Sequence, residues 1–235
     1  MLPSCRPSWA VQTTRRRRCF ERRLYVCRRT IEKKADAEFA LRDKIFYVCS
    51  MSSRTIVYKG MLVATQMRRF FIDLNDAAVK TAVALVHSRY STNTTPSWER
   101  AHPNRFIIHN GEINTLKGNV NWIRAREPNL YSPVLQHDLE RVMPIINREG
   151  SDSAILDNVL EFLVMNGRPL TRAASMLLPE PWDHNDSLSE ERRAYDAYQS
   201  MLMEPWDGPA AIAFTDGRTL VPPSTVTACV PPATM

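Results

Sequence analysis

The 235-residue chain has no apolar run that approaches the roughly 18 residues needed to cross a membrane. It also lacks a secretory signal, because its Arg-rich beginning is followed by mixed charged sequence and not by an apolar segment. We therefore expect no membrane partner. The same beginning is poor in acidic residues, so a transit peptide stays open as an alternative.

Cysteine is scarce. The five cysteines are an odd number, and no pair of them has the spacing of metal ligands. Without a secretory context, reduced thiols are the expected state. The sequence thus predicts no metal site, and in particular no zinc or iron–sulfur site within these residues. Internal repeats are also absent.

The net charge of +6 is concentrated at one end of the chain. The first 34 residues contain eleven basic and two acidic side chains, a net of +9, so the remaining 201 residues carry −3. Such asymmetry can indicate a tail that binds nucleic acid or a membrane surface. No nucleic-acid recognition motif accompanies the arginines. We therefore predict that residues 1–22 are a disordered basic segment outside the folded domain, with a nucleic-acid-binding arm as the less favoured alternative.

Apolar periodicity predicts a chain of mixed helices and short strands. The best-defined helix runs from Ser151, a plausible N-cap, to Asn166, and Gly167 is a natural stop. The other predicted helices cover residues 23–42, 113–127 and 188–203, the first with an apolar face of Leu24, Cys27, Ile31 and Ala35. The predicted strands cover residues 45–50, 55–59, 82–86, 106–108, 208–215 and 219–220. Residues 221–235 lack periodicity, so we expect a disordered tail.

Two polar clusters follow the apolar strands 82–86 and 106–108. The first reads His-Ser-Arg-Tyr-Ser-Thr-Asn-Thr from His87, with Pro-Ser-Trp-Glu at 96–99. The second reads His-Asn-Gly-Glu-Ile-Asn-Thr from His109, with Lys-Gly-Asn at 117–119. Polar residues at the ends of buried strands can line a site, so the two clusters predict one binding site.

Each candidate residue allows a functional and a structural interpretation. Arg89 has the planar fork that suits a carboxylate, but it could be a surface Arg at a strand end. Thr92 offers a hydroxyl to a ligand or to its own turn. Asn110 and Gly111 could direct donors at one oxygen or form a hairpin turn. Asp152 could bind an ammonium group or could favour the start of a helix.

As a whole, these strings resemble the type 2 glutamine amidotransferase domain of the glutamate synthase large subunit, a member of the N-terminal nucleophile class. The resemblance implies that Arg89 holds the α-carboxylate of glutamine, with Thr92 nearby, and that Asp152 binds its α-ammonium group. It implies that Asn110 and Gly111 form the oxyanion hole. Because the family's proton transfers are attributed to a free N-terminal amine, His87 and His109 are expected to be structural groups.

The resemblance runs from about residue 23 to about residue 220 and implies an α/β (α+β) fold, an incomplete αββα four-layer sandwich. It implies L-glutamine as ligand and the rest of a glutamate synthase as partner, including a synthase domain, and it leaves open a small NAD(P)H-oxidising subunit. No cofactor is expected in these residues, whereas FMN and an iron–sulfur cluster are implied for the full-length enzyme. Other glutamine-dependent enzymes stay open as parents of the domain. The electron donor and the compartment also stay open: cytoplasm in a bacterium, plastid or cytosol in a eukaryote.

One element of the resembling family is missing from the sequence. The family's mature chain begins with a nucleophilic Cys followed by Gly-Val-Gly, and none of the five cysteines here precedes a glycine. The composition also changes abruptly near residues 22 and 221, which suggests a domain fragment with altered ends. We therefore expect the isolated chain to bind glutamine without hydrolysing it.

Overall fold

The computed structural model describes residues 8–38, 46–88, 95–182 and 187–226, with side chains left out of the description at 8–16 and 222–226. These residues form a mixed fold of helices and one small antiparallel sheet. The helices are α1 (Ser8–Glu38), α2 (Ala64–Phe70), α3 (Leu116–Arg126), α4 (Leu139–Val142), α5 (Asp152–Met165), α6 (Leu170–Leu177) and α7 (Glu190–Leu202). The strands are β1 (Ile107–Gly111), β2 (Ala210–Thr215) and β3 (Leu220–Val226).

The sheet has the order β1-β2-β3, and both pairs are antiparallel. Ile107 lies opposite Phe214 and Gly111 opposite Ala210, so the end of β1 meets the beginning of β2. Helix α5 packs against β1 and contributes the fully buried Leu156 to the core beneath the sheet. Burial of a leucine side chain stabilises the fold by about 2 kcal/mol, and the core contains many such residues.

Helix α5 confirms the best-defined prediction from the sequence. The Oγ of Ser151 accepts a hydrogen bond from the backbone N–H of Ala154, which satisfies one of the free donors of the first turn. At the other end Gly167 has a φ of +98°, a conformation that glycine adopts without strain. Strands 106–108 and 208–215 and the helices at 113–127 and 188–203 are also confirmed, with boundaries shifted by a few residues.

Helix α1 differs from its prediction at its start and on its buried face. It begins at Ser8, within residues that were expected to be disordered, because arginine is a good helix former. The predicted apolar face is wrong at Cys27 and Ile31, which are exposed, whereas Ala35 is buried as predicted. Beside Ala35 the helix buries Tyr25, Arg28 and Glu32, and this face includes an ion pair.

The two strands predicted between residues 45 and 59 are wrong for the part of them that the structure describes, because no strand is formed from 46 to 59. Side chains bind this segment in place of a strand ladder. Glu21 of α1 accepts hydrogen bonds from Ser52 Oγ and from the backbone N–H of Ser53, at 2.8 and 2.9 Å. Lys59 Nζ donates to the carbonyl of Glu99 at 2.9 Å. The bond from Ser53 uses a backbone donor of this segment, and a side chain that takes such a donor competes with secondary structure.

Two other predictions also need correction, and some helices were missed. Residues 82–86 form no strand, and Val86 is 77% exposed. Strand β3 extends to Val226, into the predicted disordered tail, because antiparallel pairing with β2 satisfies its backbone and an edge strand tolerates its prolines. Helices α2, α4 and α6 were not predicted. None of the described helices is long and apolar enough to cross a membrane.

Candidate functional site

The predicted oxyanion-hole residues form the last two positions of β1. Asn110 and Gly111 are exposed there, opposite the start of β2. Gly111 has a φ of +131°, which side-chain-bearing residues rarely adopt. A Cβ atom at this position would overlap the carbonyl oxygen of Pro209 and lie 2.7 Å from the Cα of Ala210. The backbone path at the end of β1 therefore requires glycine.

Hydrogen-bond alternation in the sheet shows which way the Gly111 amide points. The N–H of Glu112 donates to the carbonyl of Pro209 at 3.3 Å, and the N–H of Thr215 donates to the carbonyl of Phe106 at 2.9 Å. In and next to β1, the residues that hydrogen-bond to the β2 side are thus the even-numbered ones. Because successive residues of a strand direct their backbone groups to opposite edges, the N–H of Gly111 points away from β2.

Asp152 lies at the edge of β1 that faces away from β2. It is the first residue of α5, where a negative charge is favourable. One carboxylate oxygen accepts from the N–H of Ser153 at 2.7 Å, and the other accepts from the N–H of Ile113 at 3.2 Å. The structure therefore brings together two parts of the predicted site that are about 40 positions apart in the sequence, Asp152 and the end of β1. A carboxylate has about four acceptor positions, so Asp152 retains capacity for an ammonium group.

The two other predicted ligands, Arg89 and Thr92, lie outside the described residues. Their assignment to the glutamine carboxylate stays a prediction.

Three histidines form a cluster beside Asp152. The ring centroids of His87 and His102 are 4.6 Å apart, and those of His102 and His109 are 6.3 Å apart. The Nε2 of His102 lies 3.3 Å from Ser153 Oγ, which lies 3.1 Å from Ser151 Oγ. The sequence singled out His87 and His109 but missed His102. In the sequence, His102 is marked only by its place as a third histidine between the two polar clusters.

The surroundings of the cluster favour neutral imidazoles. Burial, together with the smaller effects of the neighbouring His87 and His109, lowers the pKa of His102 to about 3. Burial also lowers the pKa values of His87 and His109, although the Asp152 carboxylate opposes the effect at His109. Neutral histidines in this position can hydrogen-bond the Ser-Asp-Ser triplet without adding positive charge near an ammonium ligand.

The low pKa of His102 predicts that the fold weakens in acid. A histidine whose pKa falls on folding contributes stability that is present above pH 6.5 and is lost as the pH decreases toward about 3. The free energy of unfolding of the wild type should therefore fall between pH 7.5 and pH 5. In His102→Gln this fall should be smaller by about 1–2 kcal/mol. Urea unfolding at both pH values measures this. The exposed His137→Gln is the control, and equal falls in the two variants would contradict the prediction.

The described residues contain no group of three or more His, Cys, Asp or Glu side chains placed to hold a metal ion. The described cysteines Cys19, Cys27 and Cys49 are free thiols.

Comparison with known proteins shows the family to which the chain belongs. Residues 3–223 match the family described as glutamine amidotransferases class-II. The chain is 55% identical over 201 residues to the glutamate synthase [NADPH] large chain of Bacillus subtilis, a match that covers 86% of this chain and 13% of that protein. It is 48% identical over 200 residues to the glutamate synthase [NADH] of Schizosaccharomyces pombe, covering 85% of this chain and 9% of that protein. It is 45% identical over 204 residues to the chloroplastic ferredoxin-dependent glutamate synthase of Oryza sativa subsp. japonica, covering 85% of this chain and 12% of that protein.

The chain belongs to the class-II glutamine amidotransferase family. It spans about an eighth or less of the length of these curated relatives. The family match begins at residue 3 and so includes most of the basic segment that the sequence placed outside the domain. The domain boundaries at residues 22 and 220 stay a prediction.

Proposed function

We propose that this chain binds L-glutamine as the amidotransferase part of a glutamate synthase. The observation that carries the proposal is the hydrogen bond between Asp152 and the N–H of Ile113, which holds a carboxylate beside the Asn110–Gly111 end of β1. A glutamine amidotransferase needs donors for an amide oxygen and a carboxylate for an ammonium group within one substrate length. The names of the relatives support glutamate synthase as the parent enzyme.

Each group has a defined role in this proposal. The N–H of Gly111 and the side-chain amide of Asn110 donate to the side-chain oxygen of glutamine, where negative charge develops during attack on the carbonyl carbon. Asp152 accepts from the α-ammonium group. Arg89 pairs with the α-carboxylate in a bidentate manner, and Thr92 adds a hydroxyl contact. The finer architecture, an αββα sandwich completed by further strands, is part of the same proposal.

The nucleophile is the element that the 235 residues do not supply, since no cysteine is followed by glycine. Donors and charged groups that position a substrate without an attacking thiol provide binding alone. We therefore place the flavin and iron–sulfur chemistry of the parent enzyme, and its synthase domain, outside these residues. No step of the proposed chemistry here depends on those groups.

The proposal predicts glutamine binding that depends on Asp152 and Arg89. Isothermal titration of the 235-residue chain should show binding of L-glutamine, and Arg89→Ala or Asp152→Asn should weaken it by roughly 2 kcal/mol or more, because each removes a charged contact. Asp138→Asn is the control, since Asp138 is an exposed partner of Arg141. Unchanged binding in both site variants would show that the pocket is wrongly assigned.

The same sample tests the absence of hydrolysis. We expect no glutamate release from L-glutamine by the isolated chain. Release that a thiol-directed glutamine analogue blocks would show that one of the five cysteines acts as nucleophile after all.

A further inference from the structure

Helix α5 binds the edge of β1 that is not paired with β2 through two carboxylates. Asp152 accepts from the N–H of Ile113, just after the strand ends. Asp157 accepts from the N–H of Ile107, at the first residue of the strand. Both donors belong to odd-numbered residues, whose N–H groups point away from β2. By the same alternation, the N–H of Gly111 points to this edge. The two carboxylates therefore bracket the amide that the proposed function uses as an oxyanion donor.

Asp157 gathers three consecutive backbone donors. One carboxylate oxygen accepts from Phe106 and Ile107 at 2.8 and 3.1 Å, and the other accepts from Arg105 at 3.1 Å. The residue is 1% exposed, so water cannot replace these bonds without opening the core. A buried N–H that loses its acceptor is destabilising, and here three neighbouring N–H groups depend on one carboxylate.

The neighbouring charges leave Asp157 ionised near neutral pH. Burial and then the adjacent Glu161 raise its pKa, the charge of Arg105 and the backbone N–H groups oppose this rise, and the resulting pKa is about 6. At pH 7.5 the carboxylate is therefore ionised and can accept all three bonds. Experiments at this pH examine the arrangement that the structure shows.

We propose that Asp157 is a positioning residue for the glutamine site: it fixes the start of β1 on α5 and so sets the position of the Gly111 N–H relative to Asp152. The inference rests on the proposed function for the identity of the ligand. Asp157 touches no part of the site itself. It acts because the helix that carries Asp152 and the strand that carries Gly111 are joined through its carboxylate.

The first test compares two buried carboxylates in the full 235-residue chain at pH 7.5. Asp157→Asn keeps the shape of the side chain but replaces an acceptor oxygen by a donor group that faces backbone donors. The control is Asp196→Asn on α7, because Asp196 is 0% exposed and accepts from Arg192 Nε at 2.6 Å, away from β1. We expect Asp157→Asn to weaken L-glutamine binding about tenfold or more, and Asp196→Asn to lower stability with unchanged affinity. Wild-type affinity in Asp157→Asn would overturn the inference.

A second readout separates this inference from the proposed function. Amide hydrogen exchange of the peptide covering residues 105–113 should accelerate in Asp157→Asn and stay unchanged in Asp196→Asn. If the wild-type chain binds no glutamine, the proposed function fails. Independently of that result, unchanged exchange in Asp157→Asn would overturn the positioning role.

A third variant covers the case in which Asp157→Asn does not fold. Asp157→Glu keeps the charge and moves the carboxylate by one methylene group, so we expect a folded chain with weaker glutamine binding. Wild-type affinity in this variant would contradict a positional requirement.

Discussion

Gly111→Ala is expected to abolish glutamine binding and to lower the free energy of unfolding by about 3 kcal/mol or more. The residue has a φ of +131°, and an added Cβ atom would overlap the Pro209 carbonyl oxygen. Relief of this overlap requires β1 to separate from the start of β2. The N–H that we assign to the oxyanion would move with it. Chemical unfolding and isothermal titration measure the two effects.

Gly118→Ala is the matched control for this prediction. Gly118 lies in the first turn of α3, and a Cβ atom there would have no neighbour within 4 Å. Alanine in a helix interior stabilises by about 0.5–1 kcal/mol relative to glycine, so this variant should gain stability and keep its affinity. Equal behaviour of the two alanine variants would contradict the assigned backbone conformation at Gly111.

Arg28→Ala is expected to destabilise the chain by about 3–5 kcal/mol. The guanidinium is 2% exposed and lies 2.8 Å from Glu32 and 2.5 Å from Glu161. Burial opposes its charge, but Glu161 and Glu32 raise the pKa of Arg28 above its ordinary value. Removal of Arg28 would leave two buried carboxylates, with Arg105 at 3.0 Å from Glu32 as a remaining partner. Urea unfolding measures the loss.

Arg141→Ala provides the comparison for the buried pair. Arg141 lies 3.1 Å from Asp138, and both side chains are largely exposed, at 63% and 46%. Exposed ion pairs contribute about 0–1 kcal/mol, so this variant should remain close to the wild type. If Arg28→Ala were no more destabilising than Arg141→Ala, α1 would not be anchored to α5 through this ion pair.

The sequence predicted elements well where local signals are complete. Helix α5 has a cap, an apolar face and a stop within 17 residues, and each of these signals is visible without the rest of the chain. The face of α1 was mispredicted at Cys27 and Ile31 because its buried side is built around the pair of Arg28 and Glu32, and Arg28 also binds Glu161, which is 133 positions away. Apolar periodicity cannot show a face that is held by charges. For the same reason, the side-chain bonds that replace strands between 46 and 59 were not predicted.

The site was predictable in its residues and not in its arrangement. Asn110, Gly111 and Asp152 were identified from their motifs, and the structure places them on two elements that touch. The contribution of His102 was missed, because it acts through a contact with Ser153 that is 51 positions away. Asp157 was not singled out from the sequence. Only the three-dimensional fold shows that its carboxylate binds the start of β1.

The most direct test of the glutamine site is an amide NMR titration of the ¹⁵N-labelled chain with L-glutamine, with D-glutamine as the control ligand. We predict saturable shifts of the Gly111 and Ile113 N–H signals and of the Asn110 side-chain amide, because these groups lie at the donor end of the site beside Asp152. D-glutamine should leave these signals unchanged. Saturable shifts confined to other parts of the chain, or no shifts at millimolar L-glutamine, would contradict the assignment of this strand end as the glutamine site.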